Sequence, residues 1–188
     1  VEQNKNLIID YIELPEELMH GQVLVKVMKS GICGSQLGEI AGAKGKDRFL
    51  PHLMGHEGCA EVLDIGEGVK NVSIGDKVVM HWRKGNGIQS DTPKYRWKDM
   101  QLNAGWVTTF NTHAIISENR CTRIDQNIDN NLAALLGCAI TTGFGVVENN
   151  AKIKMGESVV VFGAGGVGLN IIQACSLHSA HPIIAVDL

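Results

Sequence analysis

The sequence predicts an α/β chain with two parts, a β-rich first domain followed by the first strand–helix–strand unit of a parallel sheet. Two observations lead to this prediction. Short β-branched segments separated by glycines recur between residues 20 and 117, which is typical of small barrels and sandwiches. From residue 157 onward, a valine-rich segment, a glycine-rich turn, an apolar stretch and a second apolar segment follow in order. That order is typical of a βαβ unit.

The elements of the first part are justified by composition and by turn residues. Residues 7–14 are apolar with polar interruptions, and four further segments have strand composition beside glycine-containing turns: residues 22–27, 59–65, 74–79 and 108–117. Residues 80–105 are polar and cationic and hold two of the three tryptophans. A long loop is expected there, and such loops in compact domains are usually functional or mobile.

The second part has helical and parallel-strand patterns. Asp129 precedes an apolar run and is predicted to cap a helix. A strand over residues 157–162, a helix over 169–177 and a strand over 183–188 complete the pattern. We therefore expect one domain over residues 1–128. Residues 129–188 are expected to hold linking helices and the start of a second domain built on this βαβ unit.

Composition excludes several classes of function. The chain has 188 residues with 20 acidic and 17 basic side chains, for a net charge of −3, so a broad basic surface for nucleic acid or anionic membrane is not expected. No apolar run is long enough for a transmembrane helix, and no signal-peptide pattern stands at the N-terminus. The five widely spaced cysteines favour reduced thiols or metal ligands over a disulfide framework. We expect a cytoplasmic protein.

The glycine-rich turn fits a dinucleotide site. Gly163, Gly165 and Gly168 match G-x-G-x-x-G between a predicted strand and a predicted helix, where the backbone can approach a pyrophosphate. Asp187 near the end of the next strand could accept hydrogen bonds from a ribose diol and would repel a 2′-phosphate. The pattern favours NAD over NADP. A glycine-rich turn in another α/β fold is the alternative.

A second constellation contains metal-ligand residue types. Cys33, His56 and Cys138 each lie beside glycines. Two thiolates and one imidazole suit zinc and leave a fourth position for water or substrate. No close C-x-x-C pair is present, which argues against a zinc-finger-like site. Spacing alone leaves the alternative of small core cysteines and a hydrogen-bonded histidine.

Four segments carry a resemblance to a known family. They are GICGS at residues 31–35, GHEGCAEVLDIGEGVKNVSIGDKVV at 55–79, GCAITTGFG at 137–145 and GAGGVG at 163–168. In this order they resemble the medium-chain dehydrogenase/reductase family, in its zinc-dependent alcohol dehydrogenase type. The resemblance implies a GroES-like β-rich catalytic domain joined to a Rossmann domain, with the active site in the cleft between them.

The resemblance also implies roles for individual residues. Cys33, His56 and Cys138 match the ligands of a catalytic zinc. Ser35 matches the hydroxyl that carries the substrate's proton away, with a helix-capping serine as the alternative. Glu57 matches an acid that approaches the metal in some members, and a buried partner for a base is the alternative.

For the cofactor and substrate, the resemblance implies further positions. Thr142 and Val167 match residues that contact the nicotinamide ring, and the coenzyme loop comprises Gly163, Gly165, Gly166, Val167 and Gly168, with Asp187 on the ribose. Trp82 matches a side chain lining the substrate pocket. Packing in the core or the loop is the alternative for this tryptophan.

Three residue-level departures from the family pattern stand out. Gln36 replaces the usual Asp that orients the zinc-bound histidine, and Gly38 replaces a histidine of the proton relay, which leaves Ser35, the ribose and water. No cysteine lies between Cys59 and Cys121, where many members hold a four-cysteine lobe. One catalytic zinc and no structural zinc are therefore expected, with the remaining cysteines as ordinary core or surface thiols.

Family members are nearly twice as long as this chain, so the sequence is expected to be a fragment that is inactive alone. For the full-length parent, the expected function is NAD-dependent and zinc-dependent oxidation of an alcohol or polyol, or the reverse reaction on a carbonyl, in a homo-oligomer. A zinc-free quinone or enone reductase of the same fold is one alternative. A non-catalytic nucleotide-binding module is the other, since fold does not fix function.

Overall fold

The structure is a computed structural model that describes residues 3–188. The chain divides into two compact units, with the boundary between Gly137 and Cys138. Among the described residues, no helix is both long enough and apolar enough to cross a membrane.

The first unit is built on an antiparallel sheet of five strands. The bounds are β1 Gln22–Ser30, β2 Glu57–Ile65, β3 Lys77–His81, β6 His113–Ser117 and β7 Cys121–Arg123. Their order across the sheet is β6-β1-β2-β3-β7. The four strands predicted between residues 22 and 117 are confirmed as β1, β2, β3 and β6.

Alternation along these strands places buried clusters on both faces of the sheet, and the largest cluster includes valines of β1, β2 and β3. Val23 and Val25 of β1 are fully buried and pack in one cluster with Val62 of β2 and Val78 of β3. Val25 lies directly opposite Val62 in the β1–β2 register. Since side chains alternate faces with a period of two, this register fixes which residues of β1 face this cluster.

The predicted loop over residues 80–105 is wrong in part, because a hairpin forms within it. Its strands are β4 Tyr95–Trp97 and β5 Met100–Leu102. The hairpin is anchored by Tyr95, which is fully buried and whose hydroxyl accepts the N–H of Ile115 at 2.7 Å. Burial raises the pKa of Tyr95 to about 12, so the hydroxyl stays neutral. Residues 7–14 form only an isolated bridge, between Glu13 and Arg96.

A buried carboxylate organises the loops at one end of the sheet. Glu118 begins the 3₁₀ helix Glu118–Arg120 that follows β6. Its oxygens accept the backbone N–H groups of Lys70 at 2.6 Å, Asn71 at 2.8 Å and Ile88 at 2.7 Å. Burial alone would raise the pKa of Glu118, but these three donors hold it below its ordinary value. One ionised side chain therefore joins two loops that are far apart in sequence.

Two short helices complete the first unit. Helix α1 spans Gly34–Ile40, and α2 spans Asn130–Leu135. The predicted cap of α2 is confirmed, since Asp129 Oδ1 accepts the N–H groups of Asn131 at 2.9 Å and Leu132 at 3.1 Å. The residues of α2 are predicted to belong to the second domain, whereas in the structure this helix packs on β1 and β2.

The second unit contains the predicted βαβ unit. Helix α3 Ala139–Gly145 continues into a π-helical turn Val146–Ala151. Strand β8 Val159–Phe162, helix α4 Gly166–Leu177 and strand β9 Ile183–Val186 follow, and β8 and β9 pair in parallel. The core of this unit is small and consists of Val147, Ala174, Cys175 and Ala180.

We expect Glu118→Gln to destabilise the first unit. The amide nitrogen of Gln would face backbone N–H donors, and about 1–3 kcal/mol of unfolding free energy should be lost near neutral pH. Because the folded pKa of Glu118 is depressed, its contribution is fully present above the unfolded carboxyl pKa of about 4.3. It disappears as the pH falls through the folded pKa.

Urea unfolding in a descending pH series measures this effect. The wild-type protein should lose stability more steeply than Glu118→Gln as the pH drops, until the two curves converge. The exposed Glu67 provides the matched control, and Glu67→Gln should follow the wild-type curve. Equal stability of Glu118→Gln and wild type near neutral pH would contradict the role of this carboxylate.

Candidate functional site

Two of the predicted metal ligands, Cys33 and His56, come together in the first unit. Cys33 lies between β1 and α1, and His56 directly precedes β2. Because Ser30 at the end of β1 pairs with Gly58 near the start of β2, the residues just beyond each strand end are neighbours. The sulfur of Cys33 and a ring nitrogen of His56 lie within 4.8 Å of each other. Both side chains are half-buried.

Glu57 is the buried side chain on which this region packs. It is only 2% exposed, and a Cβ built on Gly31 would lie 2.8 Å from its carboxyl oxygen Oε1. A Cβ built on Gly137 would lie 2.9 Å from the Cβ of Glu57 and would also overlap the carbonyl oxygen of Met80. Glycine is therefore required on both sides of this glutamate, two residues before Cys33 and one residue before Cys138.

Cys138 is the first residue of the second unit and is bonded directly to Gly137. Its carbonyl oxygen accepts the N–H of Thr142 at 2.9 Å and the hydroxyl of Thr141 at 3.2 Å. These bonds start α3 at Cys138. Thr142, the predicted nicotinamide contact, is half-buried on the first turn of that helix.

The hydroxyl of Ser35 is directed at Cys33, one of the predicted ligands. Its Oγ donates to the sulfur of Cys33 at 3.3 Å. Ser35 lies inside α1, whose N-cap is Cys33, so the alternative of a capping serine does not apply. Burial lowers the pKa of His56, with the charge of Glu39 acting in the opposite direction. A neutral imidazole is the form that binds a metal.

Gln36, the first departure from the family pattern, is buried and bridges two groups. Its Oε1 accepts the N–H of Gly55 at 2.6 Å, and its Nε2 donates to Glu39 at 3.0 Å. Glu39 in turn lies beside Asp47 and His52. Sequence reasoning missed these three residues, because nothing in their spacing marks them as neighbours.

The glycine-rich turn has the shape its motif predicts. Gly163 has a φ of +90°, which favours glycine, and a Cβ on Gly168 would overlap the carbonyl oxygen of Gly163. Nothing lies within 4 Å of a Cβ built on Gly165 or Gly166. This open surface at the start of α4 leaves space for a ligand to approach the protein backbone.

Asp187 lies against this turn. One carboxylate oxygen accepts the N–H of Ala164, and the other accepts the N–H of Leu188 at 2.7 Å. The bond from Ala164 is the larger cause of a lowered pKa for Asp187, followed by that from Leu188. The ionised carboxylate is thus fixed beside the helix N-terminus, and each oxygen retains capacity to accept a further hydrogen bond. Val167 is 43% exposed on the first turn of α4.

The remaining predicted residues have ordinary surroundings. Trp82 is 46% exposed, with the guanidinium of Arg83 at 5.3 Å from its ring centre, and its place in a substrate pocket stays a prediction. The other three cysteines are buried, and burial raises the pKa of each thiol: Cys59, Cys121 and Cys175. Their thiols are therefore protonated and unreactive.

Comparison with known proteins gives a consistent result. Residues 19–126 match the alcohol dehydrogenase GroES-like domain. S-(hydroxymethyl)glutathione dehydrogenase of Synechocystis sp. is 31% identical, over 89% of this chain and 52% of that protein. The enzyme of the same name from Komagataella pastoris is also 31% identical, over 100% of this chain and 55% of that protein.

Solved structures of similar proteins agree with this match. An alcohol dehydrogenase zinc-binding domain protein from Burkholderia ambifaria has a TM-score of 0.88 at 26% identity, covering 98% of this chain and 56% of that one. Benzyl alcohol dehydrogenase from Acinetobacter calcoaceticus has a TM-score of 0.80 at 27% identity, covering 94% and 54%. The chain thus spans about half the length of the relatives it matches.

We expect Gly137→Ala to disturb the surroundings of Glu57. The new methyl group would overlap the Met80 carbonyl, and overpacking of this kind destabilises by about 1–3 kcal/mol. Gly34→Ala is the matched control, because nothing lies within 4 Å of a Cβ at that position. Thermal unfolding of the two variants should show a lower midpoint for Gly137→Ala only. An unchanged midpoint for Gly137→Ala would contradict the close packing described here.

Proposed function

Because the chain belongs to the medium-chain dehydrogenase/reductase family, of the zinc alcohol dehydrogenase type, we propose that the intact protein is an NAD-dependent, zinc-dependent oxidoreductase. Its proposed substrates are small alcohols or polyols and the corresponding carbonyl compounds. The observation that carries the proposal is the approach of the Cys33 sulfur and a His56 ring nitrogen to within 4.8 Å. A zinc-free reductase would not require this pair of ligand types.

Cys33, His56 and Cys138 are the proposed ligands of one zinc. The two sulfurs and one nitrogen form a donor set that zinc prefers at catalytic sites, where a fourth position stays open. For Cys138 the support is the chain itself, since Gly137 packs on Glu57 next to His56 and Cys138 is the next residue. Zinc bound there would act as a Lewis acid toward the substrate oxygen and lower the pKa of its hydroxyl.

Ser35 is the proposed proton acceptor. Its hydroxyl already lies at the sulfur of Cys33, and the lone pairs of Oγ are available to take a proton from a substrate hydroxyl. Gly38 offers no side chain for a relay, so the proton would leave through Ser35 and water or a ribose hydroxyl. Positioned proton transfer of this kind contributes about 10²–10⁴-fold to a rate.

The glycine turn and Asp187 are the proposed NAD site. The open backbone at Gly165 and Gly166 and the N-terminus of α4 suit a pyrophosphate, and the fixed carboxylate of Asp187 suits a ribose diol. Thr142 and Val167 remain the proposed nicotinamide contacts. NAD supplies the hydride acceptor, while the protein's residues orient it and the substrate.

Glu57 has two open roles in this proposal. It follows His56 directly and is buried against Gly31, so it can hold the ligand segments in place. Approach of its carboxylate to the metal is the second role.

The proposal has three further parts. The intact protein holds no structural zinc, assembles into a homo-oligomer and is located in the cytoplasm.

The zinc site is tested by elemental analysis of the purified intact protein. We expect about one zinc per chain in the wild type, near zero in Cys33→Ala, and loss of turnover together with the metal. Cys175→Ala removes a buried thiol outside the proposed ligand set and should keep its zinc. Turnover retained by Cys33→Ala would contradict the proposal, and two zincs per chain would contradict the single site.

The coenzyme site is tested by titration with NADH and NADPH. Asp187→Asn removes a charge-assisted hydrogen bond to the ribose, so NADH affinity should fall about tenfold or more. Affinity for NADPH should fall less or rise, because the repulsion of the 2′-phosphate is lost. Asp125→Asn, at an exposed position of the first unit, is the control. An unchanged ratio of the two affinities in Asp187→Asn would exclude this role.

A further inference from the structure

The side chain of Gln36 lies between the N–H of Gly55 and the carboxylate of Glu39, and each of these groups can play only one part in a hydrogen bond. The N–H of Gly55 can only donate, and the carboxylate of Glu39 can only accept. The amide of Gln36 lies between them with Oε1 at 2.6 Å from the N–H and Nε2 at 3.0 Å from the carboxylate. Gln36 is 8% exposed, so an unmatched polar group at this position would be costly.

Glu39 is itself held by an ion pair. Its Oε1 lies 3.6 Å from Nε2 of His52, and the same nitrogen lies 2.7 Å from Oδ2 of Asp47. Nδ1 of His52 lies 2.7 Å from the carbonyl oxygen of Leu53. Since both ring nitrogens face oxygen acceptors, both carry hydrogens, and the ring is an imidazolium between two carboxylates.

These contacts join the two chain segments that carry Cys33 and His56. Gln36 and Glu39 lie on α1, the helix that begins directly after Cys33. Leu53 and Gly55 lie on the segment that leads into His56. The helix therefore contacts this segment in two places, through the hydrogen bond between Gln36 and Gly55 and through the 3.6 Å ion pair between Glu39 and His52.

We propose that Gln36, Glu39 and His52 act as one positioning unit that sets the separation of Cys33 and His56. An amide is needed at position 36 because the partner at position 39 is an anion. The aspartate usual in the family at this position would bring two carboxylates together, which explains the departure at Gln36. The proposal rests on the proposed function, in which Cys33 and His56 hold a metal.

Titration of the metal-free intact protein with Co²⁺ tests the proposal. The visible d–d bands and the thiolate-to-cobalt absorption report the geometry and the affinity of the site. Gln36→Glu keeps the size and an acceptor for Gly55 but places a second carboxylate against Glu39. We expect Co²⁺ affinity to fall by about 10–100-fold, the usual effect of losing a group that orients a ligand, with altered d–d bands. Gln101→Glu, at an exposed position of β5, adds the same charge and should bind Co²⁺ like the wild type.

A double variant distinguishes a positioning unit from general destabilisation. In Gln36→Glu/Glu39→Gln the donor and acceptor of the hydrogen bond between positions 36 and 39 are exchanged. The new amide at position 39 donates to the new carboxylate at position 36, and this carboxylate still accepts from Gly55. Affinity and d–d bands should return toward those of the wild type. Gln36→Met removes the acceptor without adding charge, and here Glu39→Gln should give no rescue.

The outcomes separate this proposal from the function on which it rests. If the wild type shows no thiolate-to-cobalt absorption, the proposed metal site fails and the positioning unit with it. If the wild type binds Co²⁺ and Gln36→Glu and Gln36→Met bind it equally well, the positioning unit alone is overturned. Absence of rescue in the double variant also overturns it. The positioning unit is also overturned if the protein binds a second equivalent of Co²⁺ that gives no thiolate absorption and is lost in His52→Asn. In that case His52 would be a metal ligand.

Discussion

The structure around the candidate site depends on the burial of Glu57 between two glycines. Its side chain fills the space beside Gly31 and Gly137, where a single methyl group on either glycine would meet occupied volume. The glutamate follows His56, and the glycines precede Cys33 and Cys138. One side chain therefore packs against two segments that are distant in sequence from its own.

Buried polar side chains play the same part elsewhere in the first unit. Glu118 holds two loops by accepting three backbone N–H groups, and Gln36 holds a third through Gly55. Loops carry backbone groups that no ladder satisfies. A buried acceptor that takes several of them fixes the loop without regular secondary structure. Of these acceptors, Gln36 holds the segment that leads into His56, whereas Glu118 holds loops beside the start of β1.

The division of the chain into two units corresponds to a division of chemistry. The first unit holds Cys33, His56 and Ser35, which are suited to bind a metal and to take a proton. The second unit holds the glycine turn and Asp187, which are suited to a dinucleotide. Cys138 is the residue at which the chain passes from one to the other. Cys138, the third proposed ligand, therefore belongs by sequence to the unit that holds the proposed coenzyme residues.

Elements with local causes could be predicted from the amino-acid sequence alone. Strand composition, the cap at Asp129 and the glycine turn at Gly163 depend on neighbouring residues, whereas the candidate metal ligands were assigned through motifs that resemble a known family. The hairpin at Tyr95 could not be predicted in this way, because its anchor is a hydrogen bond to residue 115. The contacts from Gln36 through Glu39 to His52 likewise became evident only in the folded chain. Such contacts depend on sheet register and loop closure, which no local pattern of residues encodes.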